Sequence, residues 1–209
     1  MRATPWNLIC AGLFGAGTMM LSAGQGRINF VETAVDLRSN GTAVVAYTVQ
    51  WQVLAGDLHG FYYQPDARLP VYRIGSDSYA LDQSGQRYAL DITPVADGKW
   101  DIVLADGRGI SGGTVTYVFS FATDFAAAGY LAPTTATGEL PLIVFHWSPS
   151  QWDESDAQDH YTLSLLTPYV VPPNVTPRQH VADERLLLTE PWVNDRYRID
   201  YRRGPRDRL

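Results

Sequence analysis

The sequence has few of the residues that cross-link a small chain or supply a reactive thiol. Of its 209 residues only one is a cysteine, Cys10, and only one is a lysine, Lys99. A single cysteine excludes a disulfide within the chain, and its place near the start leaves no thiol nucleophile in the remainder. The fold must therefore depend on a hydrophobic core, and the length is sufficient for one domain.

Long apolar runs are also absent after residue 24, so no later segment is predicted to cross a membrane. The charge is unevenly distributed. Residues 27–194 contain 9 basic and 19 acidic side chains, whereas residues 195–208 contain 6 arginines and 3 aspartates. An acidic body repels phosphate backbones and the basic tail is short, so we expect no nucleic acid partner.

Residues 1–24 are predicted to be a signal peptide. Arg2 precedes an uncharged apolar stretch, LICAGLFGAGTMMLSAG, which ends in small residues. The stretch is short and rich in glycine and alanine, which suits cleavage better than a membrane span, and an uncleaved anchor is the alternative. A lipoprotein anchor at Cys10 is disfavoured because Ile9 is bulky. We therefore expect an exported chain.

Apolar residues alternate with polar ones along most of the chain after residue 24, which is typical of half-buried strands. VAYTVQWQV, from Val45 to Val53, is the clearest example, and SNG at 39–41 and ADG at 96–98 are predicted hairpin turns. Helix signals are limited to short turns in TDFAAAGYL and TPRQHVADERLL. The pattern predicts an all-β fold, an antiparallel β-sandwich that is immunoglobulin-like or related, with a closed barrel as the alternative.

The prolines of PYVVPPNVTPRQ, at 168–179, interrupt this pattern and predict a domain boundary. We expect a β-sandwich domain over residues 25–173. Residues 174–209 are predicted to be a linker and the start of a further C-terminal segment.

The stretch VFHWSPSQWDESDAQDH, from Val144 to His160, contains the candidate metal ligands. They are His146, His160, Asp153 and Asp156. A zinc site favours histidines three to five residues apart, but these two are fourteen apart, and the acidic run lacks the glycine of a calcium loop. We interpret the stretch as a strand followed by a polar turn, and we expect no cofactor.

Catalytic motifs are equally weak. Ser111 in GISGG lacks the spacing of a nucleophile elbow and precedes a strand. The aromatic residues give a different hypothesis, because exposed rings stack on sugars. The candidate binding residues are Trp147, Trp152, Tyr62 and Tyr63, and a glycan module needs at least two of them exposed on one face.

Three segments resemble the extracytoplasmic N-terminal domain of the YciQ-like family of predicted bacterial membrane proteins. They are DLHGFYYQP at 57–65, GRGISGGTVTYVFSFATDF at 107–125 and GELPLIVFHWSPSQWD at 138–153. The family's pattern falls on His59, Gly60, Ser111, Gly112, Thr116, Tyr117, Trp147 and Trp152. This chain departs from it at Tyr63, where the family usually has arginine, and at Ser148, where it tends to have asparagine.

The resemblance implies a signal peptide, a β-rich ectodomain on the periplasmic or extracellular side, and transmembrane segments beyond residue 209, but no reaction. We therefore predict a non-catalytic envelope domain that serves in interaction or assembly, with an envelope protein or polysaccharide as its partner. Membrane association would come from a further C-terminal part or an uncleaved N-terminal segment. The alternatives are a glycan or cell-wall binding module and a metal-dependent hydrolase.

These expectations give a first prediction. Purified residues 25–209 should contain no stoichiometric zinc or calcium by mass spectrometry, and their melting temperature should not change in chelator or in excess of either metal. A stoichiometric metal that stabilises the fold would instead make the Val144 to His160 stretch a metal site.

Overall fold

The computed structural model describes residues 25–133, 143–150, 158–184, 192–193 and 197–209. The predicted signal peptide lies outside the described residues. The described strands are β1 Gln25–Leu37, β2 Thr42–Ala55, β3 Gly60–Tyr63, β4 Arg73–Ile74, β5 Tyr79–Asp82, β6 Arg87–Pro94, β7 Trp100–Leu104, β8 Thr114–Asp124, β9 Leu131–Pro133, β10 Ile143–Phe145, β11 His160–Leu166, β12 Trp192–Val193 and β13 Tyr197–Arg198. A single described α-helix, α1 Pro177–Asp183, lies between β11 and β12.

One large sheet organises the described chain. Its strand order is β11-β1-β2-β8-β5-β6-β7-β3, and β4 also pairs with β8. Neighbouring strands are antiparallel except for β1 and β11, which are parallel, so the sheet is mixed. Two further pairs, β9 with β10 and β12 with β13, lie outside it.

The large sheet curls so that its β3 end lies over its own centre. The ring of Phe61 on β3 makes an edge contact with Tyr117 on β8, with centroids 5.1 Å apart, and lies 5.8 Å from Trp51 on β2. The mostly β prediction is confirmed. The described strands form one curled half-barrel and not clearly an antiparallel sandwich. β6 pairs with both β5 and β7 and so joins the strands into one sheet, and β11 pairs with β1 in parallel.

The curl buries one face of each central strand. Along β2 every second side chain is buried and the intervening ones are exposed or half-buried, and β8 shows the same period. This is the alternation that the sequence predicts, with Val45, Tyr47, Val49, Trp51 and Val53 facing the core. The buried set is rich in β-branched and aromatic residues, which pack well on a pleated surface.

Both predicted hairpin turns are present, but they differ in geometry. At ADG both Asp97 and Gly98 have positive φ, 61° and 71°, as a two-residue Asp-Gly turn requires. At SNG only Gly41 does, at 88°. The amide of Gly41 donates to the carbonyl of Arg38, which makes this a three-residue loop that ends in a glycine bulge.

The two helix signals have different outcomes. TDFAAAGYL forms a single hydrogen-bonded turn, in which the Asp124 carboxylate accepts from the amide of Ala127 and Gly129 has φ 76°. TPRQHVADERLL contains α1, whose start is capped by the Thr176 hydroxyl accepting from the amide of Gln179. Proline at the first helical position suits this start because its missing N–H has no partner there.

Residues 203–209 return to the main sheet and are named here the C-terminal strap. Arg208 donates to the Asp36 carboxylate at 2.7 Å and to the carbonyls of Leu37, Leu166 and Thr167. Its side chain is only 14% exposed. The strap therefore fastens the ends of β1 and β11 together, and it contacts the sheet across the predicted boundary at residue 173.

A second arginine holds the strap to the segment before α1. Arg203 donates to the carbonyls of Val171, Pro172 and Val175 at 2.6 to 2.8 Å. Val171 in turn donates its amide to the carbonyl of Asp207. The proline-rich stretch that interrupts the strand pattern is thus pinned by an arginine from the basic tail.

We predict that Arg208→Met lowers the free energy of unfolding by about 2 kcal/mol, because it removes a half-buried ion pair and leaves three carbonyls without this donor. Arg202→Met is the matched control, since Arg202 is 84% exposed and lies 3.7 Å from its acidic neighbour Asp200. Urea unfolding measures both variants. Equal losses would contradict the role of the strap.

Candidate functional site

The segments that carry the family resemblance meet around the start of β3. The backbones of Leu58 and Ile110 pair through two hydrogen bonds of 3.0 and 3.1 Å. The Ser150 hydroxyl donates to the carbonyl of Gln64 at 2.9 Å, which brings the third segment to the far end of β3. Contacts between residues 52 and 86 positions apart therefore bring the three motifs into one junction, named here the β3 junction.

His59 and Gly60 have structural tasks at this junction. His59 Nδ1 lies 2.7 Å from the carbonyl oxygen of Arg108, which fits donation from Nδ1. A Cβ on Gly109 would lie 2.7 Å from His59 Cε1, so the imidazole rests directly on a glycine backbone. A Cβ on Gly60 would lie 2.7 Å from Val103 Cα and closer still to the carbonyl of Ile102, so only glycine fits.

Aromatic rings form the floor of the junction. Tyr63 lies 5.1 Å from Tyr47 and 5.2 Å from Phe119, measured between ring centroids. Tyr47 is stacked on Phe119 at 5.3 Å. These offset and edge contacts add to the area that the rings bury. The third family motif supplies a neighbouring cluster, in which Trp147 packs 5.2 Å from Phe125.

Several tyrosine hydroxyls are buried in this core. Desolvation raises the pKa of Tyr47 and Tyr63, and it raises the pKa of Tyr161 to about 12. The pKa of Tyr117 is also raised by burial, and its hydroxyl has no hydrogen-bond partner within the described ranges. These hydroxyls stay protonated at neutral pH, because burial penalises the charged phenolate.

A second polar cluster has no counterpart among the sequence predictions. The Tyr130 hydroxyl donates to the Asp66 carboxylate and accepts from Arg68 at 2.6 Å, and the Arg68 guanidinium lies 4.4 Å from the Tyr130 ring centroid. Burial opposes ionisation of Asp66, but hydrogen bonds from Tyr130 and Arg68 outweigh it and lower the pKa of this carboxyl. Desolvation, followed by the bond to Asp66, raises the pKa of Tyr130.

This Tyr130 cluster joins the loop after β3 to the turn after β8. His146 extends it, since its ring lies 5.5 Å from the Tyr130 ring and its amide donates to the carbonyl of Tyr130. No spacing in the sequence signals the cluster, because Asp66 and Tyr130 are 64 residues apart and sit in loops. The charges of Asp66 and Arg68 pair within the cluster, which ties the two loops together.

The candidate stacking residues do not share one environment. Tyr62 is 65% exposed on β3, whereas Tyr63 and Trp147 are 3% and 7% exposed and belong to the core. The rings of Tyr63 and Trp147 are therefore not available to a sugar, because strand alternation turns Tyr63 inward and Trp147 packs on Phe125. Trp152 lies outside the described residues.

The candidate metal ligands are also dispersed as far as they are described. His146 lies against Tyr130, whereas His160 stacks on Phe30 at 4.8 Å and places Nε2 3.3 Å from Glu32. Asp153 and Asp156 lie outside the described residues. In the described segments, no three His, Cys, Asp or Glu side chains are grouped so that they could hold a metal ion.

The described segments also contain no helix that is long and apolar enough to span a bilayer.

A family model described as predicted membrane protein (DUF2207) N-terminal domain matches residues 27–132, just over half of the chain. The match covers β1 to β8 and with them two of the three motifs at the β3 junction. It agrees with the resemblance at the level of a predicted membrane protein family and does not test the narrower YciQ-like assignment.

Two solved structures are similar to parts of the chain. One, a candidate protease from Parabacteroides distasonis ATCC 8503, is 16% identical with a TM-score of 0.30 and covers 52% of this chain and 24% of its own. Native yeast LTA4 hydrolase is 11% identical with a TM-score of 0.40, and the corresponding shares are 68% and 23%. This chain thus spans about a quarter of either structure, and we transfer no activity from them. No curated protein matches the chain.

We predict that Gly60→Ala destabilises the fold by at least about 2 kcal/mol, because the new Cβ collides with the backbone of β7. Gly112→Ala is the matched control, since a Cβ there meets nothing within 4 Å. Thermal and urea unfolding of both variants test the prediction. A Gly60→Ala variant as stable as the control would show that β3 does not approach β7 so closely.

We also predict that Tyr117→Phe stabilises the fold by about 1 kcal/mol at neutral pH, because it removes a buried hydroxyl without a partner. A buried tyrosine with a raised pKa keeps its proton at a pH where the unfolded tyrosine has lost it. The contribution to stability is therefore fully present below pH ~10, where both states are neutral, and it is lost as the pH rises above 10. Tyr117→Phe should make that alkaline loss smaller in urea titrations, unlike the control Tyr62→Phe. An unchanged alkaline slope would contradict the burial of this hydroxyl.

Proposed function

This chain belongs to the DUF2207 family of predicted membrane proteins, and from that membership we propose that it forms a non-catalytic interaction domain on the extracytoplasmic side of a bacterial envelope protein. The domain would join its parent protein to a partner protein of the envelope. The glycan-binding alternative would have to use Tyr62 and Trp152, the two candidate rings that are not in the described core.

The observation that carries this proposal is the outer face of the sheet, defined as the side chains of β1, β2 and β8 that point away from the core. Its central residues are uncharged and exposed or half-buried. They are Ala34, Val44, Ala46, Thr48, Gln50, Thr116, Val118 and Ala122. Across the strands Ala46 lies between Ala34 and Ser120, and Thr48 lies between Glu32 and Val118.

Side-chain hydrogen bonds hold part of this face in place. Asn29 donates to Gln50 at 3.1 Å, and Gln50 donates to Thr116 at 3.1 Å, which links three strands in one row. Short or already ordered side chains lose little conformational entropy when a partner covers them. A solvent-facing sheet usually carries charges, so a face that is uncharged at its centre favours an interface.

The contacts of three titratable side chains away from the outer face support a non-catalytic role. His59 contacts a backbone carbonyl, His160 stacks on Phe30, and Asp66 accepts from Tyr130. Each contact joins two segments of the fold. These contacts hold the β3 junction and the sheet edges together.

Single cysteines in a Cys10→Ser background test the proposal, because Cys10 is the only cysteine of the chain. Thr48→Cys reports on the outer face, and Ser39→Cys at the exposed tip of the β1–β2 turn is its matched control. Both are treated with a membrane-impermeant maleimide, once in intact spheroplasts and once as purified protein. Labelled protein is measured by mass shift.

We expect Ser39→Cys to be labelled in both preparations, and Thr48→Cys to be labelled when purified but protected in spheroplasts. Labelling of Ser39→Cys only as purified protein would contradict the extracytoplasmic location. Equal labelling of the two cysteines in spheroplasts would show that no partner covers the outer face.

A further inference from the structure

We propose that the end of the domain formed by the C-terminal strap docks on the surface of an anionic lipid bilayer. The surface in question combines exposed arginines with exposed apolar side chains on a firmly held backbone. It is distinct from the outer face, so the inference stands or falls separately from the proposed protein partner.

The charge of this end is opposite to that of the main sheet. Residues 197–209 contain five arginines and two aspartates, which gives a net charge of +3, whereas residues 25–133 contain seven basic and eleven acidic side chains, which gives −4. This asymmetry turns the strap end toward a negatively charged surface and the acidic sheet away from it. Lipid phosphates near a membrane attract arginines in this way.

Two of these arginines hold the strap in place, and the other three are exposed. Arg203 and Arg208 bind backbone carbonyls and Asp36, and so fix the strap. Arg202, which precedes Arg203 in the sequence, is 84% exposed. Arg206, at the tip of the strap turn, is also exposed. A guanidinium on a fixed backbone loses little freedom when it binds a phosphate, for which its planar fork is well shaped.

Arg206 is exposed at the strap turn, and its backbone there has a strained conformation. Arg206 and Asp207 both have positive φ, 58° and 57°, in a turn where glycine or asparagine would be favoured. Such strain is retained where the surrounding structure or a function requires it. The turn thus holds an arginine where a less strained residue would give a more stable strap.

Apolar side chains lie beside these arginines. Tyr169 and Val170 are 43% and 60% exposed. They are held against the strap because Leu209 donates its amide to the carbonyl of Tyr169, and Val170 pairs with Arg208. A mixed surface of this kind fits the bilayer interface, where aromatic and aliphatic groups enter the headgroup layer while arginines contact phosphates.

Acidic residues near this surface weaken its attraction to anionic lipid. Asp200 lies between Arg198 and Arg202 and contacts both, and Asp207 contacts Arg203. Asp183 and Glu184 end α1 and are exposed. The attraction is therefore moderate, and it should show as reversible binding that weakens with salt.

Vesicle sedimentation tests the proposal on the full 209-residue chain. One set of vesicles is phosphatidylcholine alone and the other contains one quarter phosphatidylglycerol. The apolar stretch near the start of the chain can bind both sets, so the measured quantity is the difference in partition between them. The test variant is Arg202→Glu with Arg206→Glu, and the matched control is Arg27→Glu with Arg87→Glu, which makes the same change in net charge at exposed sites on the main sheet.

We expect stronger binding to the anionic vesicles, lost in high salt and reduced by more than about twenty-fivefold in the test variant, since each arginine near such a surface contributes roughly fivefold and the introduced glutamates add repulsion. The control should change by less than about twofold. Arg202→Gln with Arg206→Asn is a second variant that keeps the strap folded, because asparagine adopts positive φ readily, and it should show a smaller loss. Matching melting temperatures establish that each variant is folded.

Three results would overturn the proposal. They are equal binding to both vesicle sets, an equal loss in test and control variants, and a comparable affinity for a short DNA duplex, which would show general polyanion binding.

Discussion

The pairing of β2 with β8 is the constraint on which the rest of this structure depends. Eleven residue pairs run in unbroken register from Thr42 with Asp124 to Gln52 with Thr114. Because side chains alternate along a strand, this single register sends all the large aromatic rings of both strands to one face and the short polar residues to the other. The core, the β3 junction and the uncharged centre of the outer face all follow from it.

Local patterns in the sequence predict the central strands and turns but not the edges of the sheet. The alternation in β2 and β8, the Asp97–Gly98 turn and the short helix in TPRQHVADERLL are short-range features, and the structure confirms them. β1 pairs in parallel with β11, which lies 130 residues later in the sequence, as the pair Phe30 and His160 shows. Nothing in the sequence of either strand identifies the other as its partner. The half-barrel differs from the expected sandwich for this reason.

The sequence predicts the site less well than the fold, because burial of single side chains in loops depends on distant segments. His146 is exposed and its neighbour Trp147 is buried, but the sequence does not show that Phe125 covers the tryptophan. The family motifs are recognisable as separate pieces, and their convergence at β3 exists only in three dimensions. The Tyr130 cluster has no sequence signal, since its members occupy loops 64 residues apart.

The parallel pairing of β1 with β11 also orders events in time. The β1–β2 hairpin closes over a three-residue loop and can form as soon as both strands are free, whereas the pairing with β11 requires a segment 130 residues further along the chain. During that interval the outer edge of β1 has unpaired backbone groups, which invite pairing with another chain. Glu32 and Asp36 lie on this strand, and their negative charges repel a second copy of the same edge. We therefore expect the acidic residues of β1 to disfavour such pairing until β11 is in place.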